Sequence, residues 1–162
     1  MNAKDVIRDT INMGDVVLGA YIGDLTDADL LVRPVTGMNH VAWQLGHLIA
    51  SERKMIASLG NVMPELPAGF AERHAKDAAD SDRAGDFLSK AEYVELMKRV
   101  RKGTRAALDA TPEANFGNPG PEEMRSYAPT VGSVFNLIGT HLLMHAGQFV
   151  AVRRKLNKPV VI

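Results

Sequence analysis

The chain contains no cysteine. That absence removes a disulfide framework, thiolate zinc sites, iron–sulfur clusters and a cysteine nucleophile. It fits a reducing compartment, so a cytoplasmic location is expected. Excess charge of either sign is also missing: Lys plus Arg and Asp plus Glu number 19 each. Nonspecific nucleic-acid binding rests on clustered positive charge, so no such partner is expected. No apolar run reaches the ~18 residues of a membrane span. The longest candidate, 131–152, is interrupted by Asn136, His141, His145 and Gln148. The opening "MNAKDVIRDT" lacks the apolar centre of a signal peptide. Strand alternation, internal repeats and low-complexity tracts are absent as well.

What is present is helical periodicity. The 162 residues suffice for one domain with a core that needs no staples. The first helix is read over Ala3–Leu25, with Val6, Ile7, Met13, Val17, Leu18, Tyr21 and Leu25 recurring at helical spacing. Pro34 closes any short helix in "TDADLLVRP". Asn39 is the expected N-cap of a second helix running to about Leu59, with Gly60 as its stop. Ser89 opens "SKAE", a capping box for a third helix ending near Ala110. Thr130 caps a fourth, which ends near Leu156. Four helices of about 20 residues, each about 30 Å long, predict an all-α four-helix bundle.

Residues 60–88 are rich in Gly, Pro, Ala and Asp and show no sustained period. They read as a long loop with a helical turn near 68–74. Neighbouring bundle helices are normally joined by about 2–8 residues. A connection this long can travel the length of the bundle, which predicts an up-down-down-up order.

Five histidines carry the chemistry. His141 and His145 lie four apart on one face of the fourth helix, in "THLLMHAGQFVAVRRKL". Two imidazoles at that spacing are half of a zinc-like site, although spacing alone favours a structural pair bonded to core carbonyls or facing solvent. Their face continues through Val134 and Ile138, which directs them inward. The second helix offers His47, mid-helix in "HVAWQLGHLIA". Three imidazoles from two facing helices leave an open coordination position, a pattern suited to catalysis. His40 shares a face with His47 but lies about 10.5 Å further along the axis. It reads as a surface residue or as a substrate contact at the site's mouth. His74, in the loop, is expected to be solvated. Trp43 is core or a wall of the site. Gln148 is a candidate partner orienting an imidazole or contacting substrate. Gly132, Gly139 and Ala146, seven apart, predict close helix packing, and Arg153–Lys155 a solvated, dipole-complementing helix end.

"HVAWQLGHL" (40–48) together with "HLLMHAGQFVAVRRKL" (141–156) resembles the DinB/YfiT-like superfamily of small metal-binding bundles. Its motif is one histidine on the second helix and an H-x-x-x-H pair followed by G-Q on the fourth. The resemblance implies that residues 1–162 form one DinB-like domain, up-down-down-up and often dimeric. It implies that His47, His141 and His145 hold a divalent ion, nickel or zinc foremost. Members with known chemistry are thiol S-transferases or thiol-dependent isomerases that use low-molecular-weight thiols such as bacillithiol, mycothiol or glutathione. The expected function is therefore a metal-dependent enzyme activating such a thiol, or water in a hydrolase, against a small-molecule substrate. No protein nucleophile motif competes, so no catalytic side chain is assigned. A non-catalytic, stress-associated protein that binds a metal or small ligand is the alternative.

Overall fold

Side-chain caps set the starts of the long helices in the computed structural model, which describes residues 1–162. Asn2 and Asp5 form a capping box for α1 (Ala3–Ile22). Ser89 and Glu92 do so for α5 (Lys90–Ala110), and Thr130 and Ser133 for α6 (Val131–Lys155). Each box satisfies amide donors that the first helical turn leaves orphaned. α3 (Val41–Ala57) starts differently. The expected cap was Asn39, but His40 occupies that position, and its Nδ1 accepts the Trp43 amide at 3.1 Å. Two single-turn helices complete the set, α2 (Asp27–Leu30) and α4 (Phe70–Arg73), and no strand is present.

The four long helices share one core of 32 buried hydrophobic residues. α1 packs mainly on α6, and α3 packs on both α5 and α6. Of the small-residue stripe, Gly139 lets α1 and α6 come near, whereas Gly132 lies against Phe116. A Cβ at Gly139 would lie 2.6 Å from the Thr10 carbonyl oxygen, and one at Gly14 would lie 3.2 Å from the Gly139 carbonyl oxygen. No helix is long and apolar enough to cross a membrane.

Two sequence expectations are corrected by burial. Arg153 does not end in solvent. It is fully buried, pairs with Asp24, and donates to the carbonyls of Tyr21 and Pro159. It ties the last residues to the end of α1, and only Arg154 and Lys155 are exposed. His74 is not solvated either, being 1% exposed. Its Nδ1–H donates to the Phe70 carbonyl and its Nε2 accepts from the Tyr93 hydroxyl, both at 2.7 Å. The ring lies against Gly46 of α3, where a Cβ would overlap three of its atoms. The 60–88 connection is thus clasped to α3 and α5 by a buried histidine, with fully buried Phe70 beside it.

Candidate metal centre

α3 and α6 bring three imidazoles together. One ring nitrogen each from His47, His141 and His145 lies within 4.8 Å of the others. Nε2 of His141 and Nε2 of His145 are 3.2 Å apart. Two nitrogens on one tetrahedral ion, each at about 2.0–2.1 Å, lie about 3.3 Å apart. The pair therefore already has the spacing that a shared ion requires.

The tautomer of His145 is set from behind. The Gln44 amide nitrogen donates to the Asn39 carbonyl at 2.9 Å. A carbonyl only accepts, so this bond fixes which end of the amide faces each way. Gln44 Oε1 is then an acceptor, 2.8 Å from His145 Nδ1. His145 carries its proton on Nδ1 and turns the Nε2 lone pair toward the other histidines. Gln44 is fully buried, so this relay works without competing water.

Burial also keeps the rings neutral. It pushes His141 and His145 down to about 4, with neighbouring imidazoles adding to the shift. His47 is lowered by burial as well, opposed by a hydrogen bond to the His74 backbone. Neutral imidazoles offer lone pairs near pH 7, which is the state a metal needs. Three neutral nitrogen donors with one open side are the donor chemistry of a borderline divalent ion such as zinc or nickel. The residues present fit such an ion.

The open side is a cavity of about 430 Å³. Trp43 forms one wall, stacked on His47 with ring centroids 4.9 Å apart and planes 10° from parallel. Its indole N–H donates to the Ala75 carbonyl of the 60–88 connection at 3.1 Å. That connection supplies Lys76 and Ala79 to the lining, and α6 supplies Met144 and Gln148. Trp43 is therefore both core and pocket wall. Gln148 lines the cavity, whereas the imidazole partner is Gln44. His40 does not line it. His40 is fully buried, with Nε2 3.1 Å from the Ser81 carbonyl oxygen, and serves as helix cap and loop anchor.

Sequence reasoning missed Gln44 and Lys76. Gln44 had a signal, being the one polar residue between His40 and His47 in an apolar helix, three before His47 on the same face. Lys76 had none, because the path of its loop is not readable from periodicity.

No curated protein and no solved structure matches this chain. The family model of the DinB superfamily matches residues 17–149, a span that includes all three histidines. The chain belongs to the DinB superfamily.

Proposed function

We propose that this protein is a metal-dependent enzyme of the small-molecule type, with His47, His141 and His145 as the metal ligands. The carrying observation is the open three-imidazole cluster whose His145 lone pair is aimed by the buried Asn39–Gln44 relay. A bound divalent ion would supply a Lewis-acid centre able to lower the pKa of a thiol or a water molecule. The chain's own residues do the rest. Trp43 and Met144 offer an apolar wall for substrate, and Asn39 and Gln148 offer amides. Lys76 is the one lysine or arginine in the lining, and no carboxylate lines it. It favours an anionic reactant such as an acidic thiol.

The same reading holds the chain to be a single cytoplasmic domain forming an up-down-down-up bundle, able to pair as a homodimer. Contact order supports the topology. Thr10, Gly14 and Tyr21 of α1 meet Gly139, Leu142 and Arg153 of α6 in ascending order, so those helices run parallel. Gln44 and His47 meet His145 and His141 in descending order, so α3 and α6 run antiparallel. Arg8 and Asp15 of α1 meet Asp109 and Arg105 of α5, also antiparallel.

The test begins with metal analysis of untagged protein. One divalent ion per chain is expected, lost in His47→Ala and in His141→Ala. The zinc- and nickel-loaded forms are then assayed with low-molecular-weight thiols against 1-chloro-2,4-dinitrobenzene, and with nitrophenyl esters. Unchanged metal in both variants would refute the ligand set. Full metal loading without turnover on any pair would refute the enzymatic reading in favour of a binding protein.

A further inference from the structure

Three residues on about one turn of α3 touch the 60–88 connection, and two of them, Trp43 and His47, belong to the metal centre. Gly46 leaves room for the buried ring of His74. Trp43 donates its indole N–H to the Ala75 carbonyl at 3.1 Å and stacks on His47. His47 itself hydrogen-bonds the backbone of His74. That bond favours the charged ring, so the backbone partner is the carbonyl. The His47 nitrogen facing it carries the proton, and the lone pair is on the other. Two consecutive carbonyls, of His74 and Ala75, thus hold a metal ligand and the indole that covers its face.

The side chain of His74 fixes those carbonyls. Nδ1–H donates to the Phe70 carbonyl and Nε2 accepts from the Tyr93 hydroxyl of α5, both at 2.7 Å. His74, Phe70 and Tyr93 are all buried. A buried ring bonded at both nitrogens has no water with which to exchange partners, so its backbone cannot drift without breaking a bond. The far part of the connection is pinned separately. Arg33 donates to the Ala79 carbonyl at 2.7 Å, and His40 Nε2 lies 3.1 Å from the Ser81 carbonyl oxygen. A change at His74 therefore frees the two carbonyls without detaching the segment.

We propose that His74 is a positioning residue for the metal centre. Clasped between Phe70 and Tyr93, it sets the carbonyls that orient His47 and Trp43, as Gln44 orients His145. The coupling runs both ways. Whatever factor the docked segment adds to metal affinity, the metal adds to the docked state. The proposal rests on His47, His141 and His145 being the metal ligands.

Cobalt(II) is the probe, added to the untagged full chain, with affinity read by chelator competition and ligand geometry by visible absorption. Tyr93→Phe removes only the hydroxyl and should weaken cobalt several-fold. His74→Ala should weaken it about 10–100-fold and shift the visible band. Trp43→Phe keeps a ring over His47 but cannot donate to Ala75, and should weaken cobalt several-fold. Arg153→Met loosens the end of α6 instead, and should leave affinity and spectrum unchanged. Zinc should slow hydrogen exchange roughly ten-fold at the amides of Arg73, His74, Ala75 and Ala78, each bonded within the segment, and much less so in His74→Ala. Parental affinity and spectrum in Tyr93→Phe and His74→Ala overturn the proposal and leave the ligand set standing. An equal loss in Arg153→Met also overturns it, since the effect is then general destabilisation. If His74→Ala does not fold, Tyr93→Phe decides. Unchanged cobalt binding in His141→Ala overturns the ligand set and this proposal with it.

Discussion

Gly46→Ala sets two physical rules against each other. In an exposed helix interior, glycine to alanine stabilises by about 0.5–1 kcal/mol through propensity alone. At Gly46 the added methyl would overlap Cγ, Cδ2 and Nε2 of His74. That ring cannot shift freely, because it is bonded at both nitrogens and 1% exposed. Displacing it breaks both hydrogen bonds and leaves the Phe70 carbonyl and Tyr93 hydroxyl without partners, at about 1–3 kcal/mol each. Set against the propensity gain, the expected loss is about 1–5 kcal/mol. For a chain of this size a loss of about 3 kcal/mol lowers Tm by roughly 6–12 °C. Urea denaturation of Gly46→Ala, His74→Ala and the double variant measures it. In the His74→Ala background, Gly46→Ala should become neutral or stabilising, because the obstruction is gone. A single Gly46→Ala variant as stable as the parent would refute the clasp, and with it the ordering of the 60–88 connection over the site.

Three further outcomes follow from the same geometry. Gln44→Leu removes the acceptor that fixes His145, so metal affinity should fall about 10–100-fold by chelator competition, with helical circular dichroism unchanged. Metal-free protein should lose stability as pH falls. Burial holds His74 at about 4 against its ordinary 6.5, so over that window the unfolded chain binds a proton that the fold excludes. The contribution is complete above pH 6.5 and gone by about pH 4, at most about 3 kcal/mol for this residue. His141 and His145 act in the same sense, and urea midpoints at pH 7 and 4.5 should show a smaller drop in His74→Asn. Arg153→Met deletes the donors to Tyr21 and Pro159 and the Asp24 pair. It should cost about 2 kcal/mol and speed amide hydrogen exchange at residues 157–162.

Where a feature depends on local chemistry, the sequence carries it. Ser89 and Thr130 mark helix starts because a hydroxyl beside free amides is a local event. The helical turn expected near 68–74 appears as α4, although its N-cap is Gly69 and no side chain caps it. His47, His141 and His145 were legible because helical spacing projects them onto two faces that a bundle must bring together. Features that depend on burial were not legible. His74 and Arg153 look like solvated residues in a loop and at a helix end, and only tertiary packing encloses them. The Asn39 error has a similar origin. Both Asn39 and His40 can cap α3, and the Ser81 carbonyl, 41 residues distant in sequence, anchors the histidine ring. Gln44 and Gln148 were both polar residues near the pair, and helix rotation decided which one touches an imidazole.

The stacking of Trp43 on His47 has a spectroscopic consequence. The chain has a single tryptophan, and it lies face to face with one of the three imidazoles at 4.9 Å. Its emission is therefore a one-channel reporter, free of other indoles. Any change in the electronic state of His47, whether it takes up a proton or an ion, occurs against the face of the fluorophore. The same indole is hydrogen-bonded to Ala75, so movement of the overlying segment would be recorded in the same signal as a change in wavelength. The protein carries its own optical readout of the His47 ring and of the Ala75 contact, with no label required.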